Sequence, residues 1–276
     1  MSLYVASIAS GSNGNCYYVG NEQEAVLIDA GISCREIEKR MKRLRLDLKK
    51  VKALFISHEH SDHISGVAVL SKKHQLPVYV SSATRRNCRG FSGLEQGIHF
   101  DGHETVSVGG LNVRPFRKIH DAADPYSFTI SHGSTTVGVF TDIGRACAQV
   151  KKHLADCHAV FLETNYDEDM LFKGRYPWPL KKRISGGEGH LSNKQALELL
   201  QQHASKELSH VFLSHLSKNN NCPQLVQDLF NTHSGGRTIV LAPRESETAV
   251  YRISATERMP NPGPAPRAEQ LSLALL

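Results

Sequence analysis

The chain has 276 residues, 40% of them hydrophobic, and a formal net charge of +6. That length supplies one large domain with a sizeable core, or two small ones, and the mild basicity allows an acidic partner without demanding one. The cysteines Cys16, Cys34, Cys88, Cys147, Cys157 and Cys222 are scattered with no CxxC pair, which argues against both a disulfide framework and a zinc ribbon. No apolar run of about 18 residues occurs, and the first residues lack a basic and then a long apolar region. The expectation is therefore a reduced, soluble, cytoplasmic protein with no membrane partner.

Short apolar runs followed by turn residues recur along the chain, at 3–9, 17–20, 25–31, 53–58, 77–81, 111–120, 126–131, 135–142, 159–165, 210–215 and 237–243. Their length and β-branched content suit strands. Helical spacing appears at 34–47, where positions 37, 41 and 44 are apolar, and again at 65–74 and 192–205, with Ser192 as an N-cap. Strands, hairpins and helices interleave, so the class is α/β with mixed sheets. The composition changes at about residue 256, where four prolines fall between 260 and 266. The expected organisation is a domain over 1–255 and a Pro-rich linker and tail over 256–276.

The stretch "ALFISHEHSDHISGV" (53–67) sets a buried strand directly before His58, His60, Asp62 and His63. Fifteen histidines is a high count for this length, and these three are the most concentrated. In a tight loop leaving a strand, imidazoles and a carboxylate can converge on a borderline divalent ion such as zinc or manganese. So many donors suit two adjacent ions rather than one. Three further apolar strands end in residues of ligand type, namely His120, Asp142 and His215. One metal cluster at a common sheet end would require this.

With these residues the chain resembles the metallo-β-lactamase superfamily, and more closely its YycJ/WalJ-type group, regarded as double-stranded DNA 5′→3′ exonucleases. The resemblance runs from about residue 3 to 250. It rests on "ASGSNGN" (9–15), "LIDAG" (27–31), "SHEHSDH" (57–63), "HDAADPYSF" (120–128), "FTDIG" (140–144), "ETNYDEDML" (163–171), "GRYPWPLKKRISGGEGHLSN" (174–193) and "SHLSKNNN" (214–221). It implies a four-layer αββα sandwich of two mixed β-sheets with metals at one edge. It also implies a first ion on His58, His60 and His120, a second on Asp62, His63 and His215, and Asp142 between them. Asp62 would then serve in catalysis as well, and water activated between the ions would attack phosphorus. Fold membership leaves the substrate open. RNA-end processing, hydrolysis of a small phosphodiester and a non-catalytic binding module all stand as alternatives.

Two basic stretches bear on a polyanionic substrate. Positions 35–52 carry nine Lys or Arg against three acids, which is also what a solvated helix face looks like. The segment 173–183 combines Arg175, Lys181, Lys182 and Arg183 with Tyr176 and Trp178, and its prolines suggest an exposed aromatic loop. Basic side chains pair with phosphates and aromatic faces stack on bases. His190, after a Gly-rich turn, would protonate a leaving oxygen or hold a phosphate, or simply enter a helix. Ser12 and Asn15 lie in a loop that either presents N–H groups to an anion or is a plain turn. Asn220, polar and close after His215, is a further candidate for substrate contact. In the tail, Gln270, Leu271, Leu273 and Leu275 resemble the peptides by which bacterial replication proteins dock on the DNA sliding clamp, or else a hydrophobic end that folds back.

Overall fold

The computed structural model describes residues 1–88, 97–100, 102 and 104–255. Gln270, Leu271, Leu273 and Leu275 lie outside the described residues. The first half runs β1 (Ser2–Ala9), β2 (Cys16–Gly20), β3 (Ala25–Ile28), α1 (Cys34–Arg43), β4 (Val51–Phe55), α2 (Ser61–Ile64), α3 (Val67–His74), β5 (Val78–Val80), α4 (Ser82–Asn87) and β6 (Ile98–His99). Next come β7 (Val106–Val108), β8 (Leu111–Arg117), β9 (Tyr126–His132), β10 (Thr135–Phe140), α5 (Ala148–Leu154), β11 (Ala159–Glu163), α6 (Glu168–Lys173), α7 (Trp178–Ser185), α8 (Asn193–His203), β12 (His210–Ser214), α9 (Pro223–Thr232), β13 (Thr238–Leu241) and β14 (Tyr251–Ser254).

Among the described residues these strands form two seven-stranded sheets, ordered β14-β1-β2-β3-β4-β5-β6 and β13-β12-β11-β10-β9-β8-β7. Both follow one plan. Antiparallel pairing from β14 through β1 and β2 to β3 gives way to parallel pairing from β3 to β6. In the other sheet, antiparallel pairing from β7 to β10 gives way to parallel pairing from β10 to β13.

Period-two alternation builds the layers. In β4, Ala53 and Phe55 point between the sheets while Leu54, and Ile56 just after the strand, point outward under α1 and α3. In β11, Ala159 and Phe161 face inward and Val160 and Leu162 lie beneath α5, α8 and α9. Strands covered on both faces are apolar throughout, which is why they are legible as unbroken runs. Tyr17 meets Phe161 across the sheets with ring centroids 5.0 Å apart, and Phe161 stacks on Phe212 at 4.5 Å. The result is the αββα sandwich expected. No helix among the described residues is long and apolar enough to cross a membrane.

Several local expectations change. The 34–47 helix ends at Arg43, because Arg45 turns left-handed (φ 57°) and Asp47 caps a separate turn at Leu48–Lys50. The 173–183 segment is not a loop: Pro177 caps α7 and Pro179 sits in its first turn, where a missing N–H costs nothing. The α8 expectation holds, with Ser192 and Gln195 closing a reciprocal capping box. Glu38 of α1 takes His74 Nε2 and Lys73 Nζ, each at 2.7 Å, and so ties α1 to the end of α3.

The edge that carries the site is fixed by unusual backbone. Asp29, Asp142 and His215 follow β3, β10 and β12 with φ of 61°, 55° and 58°. This left-handed region costs an L residue about 1–2 kcal/mol, and polar residues such as Asp and His visit it most readily. Each strand is thereby turned sharply at its carboxyl end. Hydrogen bonds then join the sheets at that edge: Tyr126 N donates to Ser57 O at 3.0 Å, and His215 N to Ser10 Oγ at 2.8 Å. Gly31 lies so close to the Asp62 carbonyl that a Cβ would overlap it, and Gly66 is similarly pressed on Ile32 O. Gly31→Ala should therefore push α2 outward and lower stability by about 2 kcal/mol, seen as a lower Tm by circular dichroism. An unchanged Tm would show that α2 is not seated by this contact.

Candidate metal centre

The site starts at the end of β4. Asp29 Oδ1 accepts from Ser57 N and its Oδ2 from Ser57 Oγ, both at 2.8 Å, and Oδ2 also takes His63 Nδ1 at 2.7 Å. With Nδ1 so engaged, His63 turns Nε2 toward Asp142 Oδ2 at 3.2 Å and Asp62 Oδ2 at 3.5 Å. The same division recurs around the cluster. His58 Nδ1 lies 2.8 Å from Ser57 Oγ and His120 Nδ1 donates to Gly189 O at 2.9 Å. His215 Nδ1 donates to Glu163 Oε1 at 3.0 Å. One nitrogen of each of these rings is fixed by protein and the other looks inward, the arrangement by which outer partners orient metal-binding imidazoles.

Apart from Asn15 Nδ2, which reaches His63 Nε2 at 3.2 Å and Asp62 Oδ2 at 3.3 Å, the inward atoms face mainly one another. His215 Nε2 and Asp142 Oδ2 are buried without a hydrogen bond. His58 Nε2 faces His60 Nδ1 at 3.1 Å, and His120 Nε2 faces the same atom at 3.4 Å. Two nitrogens each about 2.0–2.1 Å from one tetrahedral ion would stand about 3.3 Å apart. The donors group as His58, His60 and His120 on one side and Asp62, His63 and His215 on the other, with Asp142 between. These atoms fit divalent cations.

Charge points the same way. Burial pushes His58 well below the usual imidazole range and His120 down to about 4. Burial would also lower His63 and His215, but the surrounding carboxylates, Asp142 foremost, lift His63 well above that range and His215 to about 10. Glu163 is held at about 2, burial being outweighed by His190 and His215. Asp142 is held well below the ordinary carboxylate range, against burial, chiefly by His215 and His63. Lys118, buried with Nζ donating to Thr141 O at 2.7 Å, is lowered by burial. Buried carboxylates here demand positive charge, which a divalent ion would supply.

A cavity of about 250 Å³ opens over the cluster, lined by His60, Asp62, His120, Asp142 and His215 below and by Ser12, Tyr176, Leu180, Arg183, Ile184 and His190 at its walls. Of the residues singled out in the sequence, Ser12, His190 and Arg183 thus meet the cluster. Arg175, Trp178 and Lys182 are exposed nearby without lining the cavity. Three expectations need correction. Lys181 is buried on the back of α7, its Nζ spent on Phe172 O at 2.7 Å, so it cannot pair with a phosphate. Asn15 is fully buried and donates to Gly11 O at 3.1 Å and Asp62 Oδ2 at 3.3 Å, which makes it a brace behind the ligands. Asn220 is buried and bonded to Ser217 and Asp167.

Asp29 and Glu163 are not among the residues singled out from the sequence. Both end apolar strands in a carboxylate, the pattern that singled out Asp142, so the signal was present. Glu163 gathers His190 Nδ1 at 2.8 Å, His215 Nδ1, Ile143 N at 2.6 Å and Leu191 N at 3.2 Å.

Residues 24–215 match the family model described as a β-lactamase superfamily domain. The chain belongs to this superfamily, on the metallo-β-lactamase fold. Fold and cluster together imply a divalent metal cofactor. Across 230 residues it is 34% identical to an exodeoxyribonuclease YycJ of Bacillus anthracis, covering 82% of this chain and 87% of that protein. It is 30% identical over 223 residues to an exodeoxyribonuclease WalJ of Streptococcus pneumoniae serotype 2, covering 79% and 83%. Among solved structures, the metallo-β-lactamase fold protein YhfI of Bacillus subtilis superposes with a TM-score of 0.71 at 18% identity, over 91% of this chain and all of that one. That likeness concerns the fold.

The outer partner Asp29 gives a test within this superfamily site. Asn tolerates the left-handed backbone, so Asp29→Asn keeps the turn while losing the acceptor for His63 and Ser57. Metal affinity, measured by chelator competition, should fall about 10–100-fold while circular dichroism stays unchanged. Wild-type affinity in the variant would separate Asp29 from the centre.

Proposed function

We propose that this chain is a dinuclear metal-dependent exodeoxyribonuclease that cuts phosphodiester bonds at the end of a DNA strand, with zinc or manganese as the ions. The observation that carries this reading is the single cavity in which inward-facing donors form the floor and Arg183, His190 and Tyr176 form the walls. The two curated relatives named exodeoxyribonucleases support the choice of DNA. A double-stranded substrate and 5′→3′ direction belong to the same proposal.

Bound ions would supply Lewis acidity toward the phosphate and a water of lowered pKa. The protein's own groups do the rest. Asp29, Ser57, Gly189 and Glu163 fix the ring orientations before substrate arrives, so little reorganisation accompanies the reaction. Glu163 holds Nδ1 of His190, which leaves Nε2 for the cavity as the site of proton delivery to the leaving oxygen. Arg183 gives Nε to Asp121 Oδ2 at 2.5 Å, which leaves its Nη donors for phosphate oxygens. The tail motif at Gln270, Leu271, Leu273 and Leu275 would tether the nuclease to a sliding clamp and raise its local concentration on DNA.

End-labelled duplex DNA, single-stranded DNA, RNA and a bis-aryl phosphate, each offered with zinc and with manganese, test the reading. DNA should be shortened from its ends. Exclusive cutting of RNA or of the small diester would overturn it. His190→Ala should lower kcat at least about 100-fold with metal content unchanged; a change in KM alone would remove His190 from proton transfer. Lys182→Ala with Arg183→Ala should reduce the slope of log affinity against log salt by about 0.9 per lost contact to duplex DNA. An unchanged slope would place that face of α7 away from the backbone.

A further inference from the structure

The helix α7 has two faces of different character. Leu180, Arg183 and Ile184, at helical spacing, line the cavity. Trp178 lies on the opposite side at the first turn, 66% exposed, beside Phe172 of α6, which is 49% exposed. Their rings are 6.4 Å apart at 42°. Two large exposed aromatics side by side are uncommon on a protein surface without a partner. Lys173, Arg175 and Lys182, all exposed, lie within a few residues of them along the chain, with Lys173 paired to Asp169 at 3.4 Å. The charge suits a polyanion, and the open ring faces suit a nucleobase.

The helix is also rigidly mounted. Pro177 and Pro179 set its entry, and Lys181 binds its back to the Phe172 carbonyl. It is eight residues long, about 12 Å. The cavity on its inner side holds only about 250 Å³. That is below the roughly 300–1,000 Å³ of an ordinary small-ligand pocket, so it suits a strand presented singly rather than a whole duplex.

We propose that α7 is a wedge that parts the end of a nucleic-acid duplex. The strand to be cut runs along the inner face into the cavity, and the terminal base of the complementary strand stacks outside on Trp178 and Phe172. This rests on the nuclease reading and adds to it a means of taking single strands from a double-stranded substrate.

Trp178 is the chain's one tryptophan, so its fluorescence reports the outer face directly. In the full-length Asp142→Asn variant, used to prevent cutting, a blunt duplex should quench this emission. Neither the single substrate strand nor a duplex whose complementary strand ends in an abasic nucleotide should do so. In the metal-loaded wild-type background, Trp178→Ala should slow hydrolysis of blunt duplex about tenfold and leave single-strand hydrolysis unchanged, with Trp178→Phe restoring the duplex rate. Equal quenching by all three DNAs, or equal rates for wild type and Trp178→Ala on both substrates, would overturn the wedge while leaving the nuclease intact. No quenching alongside normal hydrolysis would do the same and point to a protein partner for this surface. Failure of wild type to cut any DNA would overturn the underlying reading, and the wedge with it.

Discussion

Negative charge sealed inside the sandwich is the constraint on which the site depends. Asp29, Asp142 and Glu163 are each 2% exposed or less and lie close together at one edge of two packed sheets. Removing carboxylates from water is expensive unless cations and donors replace the lost hydration. Every neighbouring group reflects that need: imidazoles give N–H to carboxylates, Ser57 and Ile143 donate backbone N–H, and Lys118 sits buried within the same field. The centre therefore behaves as a preformed anionic cage. Its partners fix the rings while His215 Nε2 and Asp142 Oδ2 face inward without a hydrogen bond, an arrangement that suits a cation.

Topology explains why the cage forms where it does. In each sheet the antiparallel run becomes parallel at the strand that ends in a left-handed carboxylate residue, Asp29 after β3 and Asp142 after β10. Parallel neighbours emerge at the same edge, so the loops after β4, β11 and β12 open beside those turns. This is the sheet-end location at which open α/β sheets generally bind ligands. Packing the two sheets face to face brings the two edges together, and neither alone carries a complete donor set.

Much of this was legible in the sequence because burial on both faces makes strands apolar throughout, and because the donors follow such strands directly. The dense run from His58 to His63 and the endings at His120, Asp142 and His215 could be found without coordinates. Asp29 and Glu163 obey the same rule but stood apart from any histidine cluster, so their bracing role showed only in three dimensions. Lys181, Asn15 and Asn220 illustrate the opposite limit. Residue type and proximity in sequence suggested solvent-facing contacts, whereas helix phase turned Lys181 inward and loop closure buried both asparagines. The prolines of 173–183 were legible too, but they can stiffen a loop or start a helix, and the residues that follow decided for the helix.

The spread of the donors along the chain has a consequence for the protein's birth. They begin at His58 and end at His215, with contributions from both sheets. During synthesis a ribosome exposes the first sheet's donors well before β12 exists. A nascent chain of that length lacks His190, His215 and the wall of the cavity, and it has no way to assemble the full set. The metal centre is thereby left incomplete until almost the whole domain has been made and packed, so completing the fold and completing the site are one event.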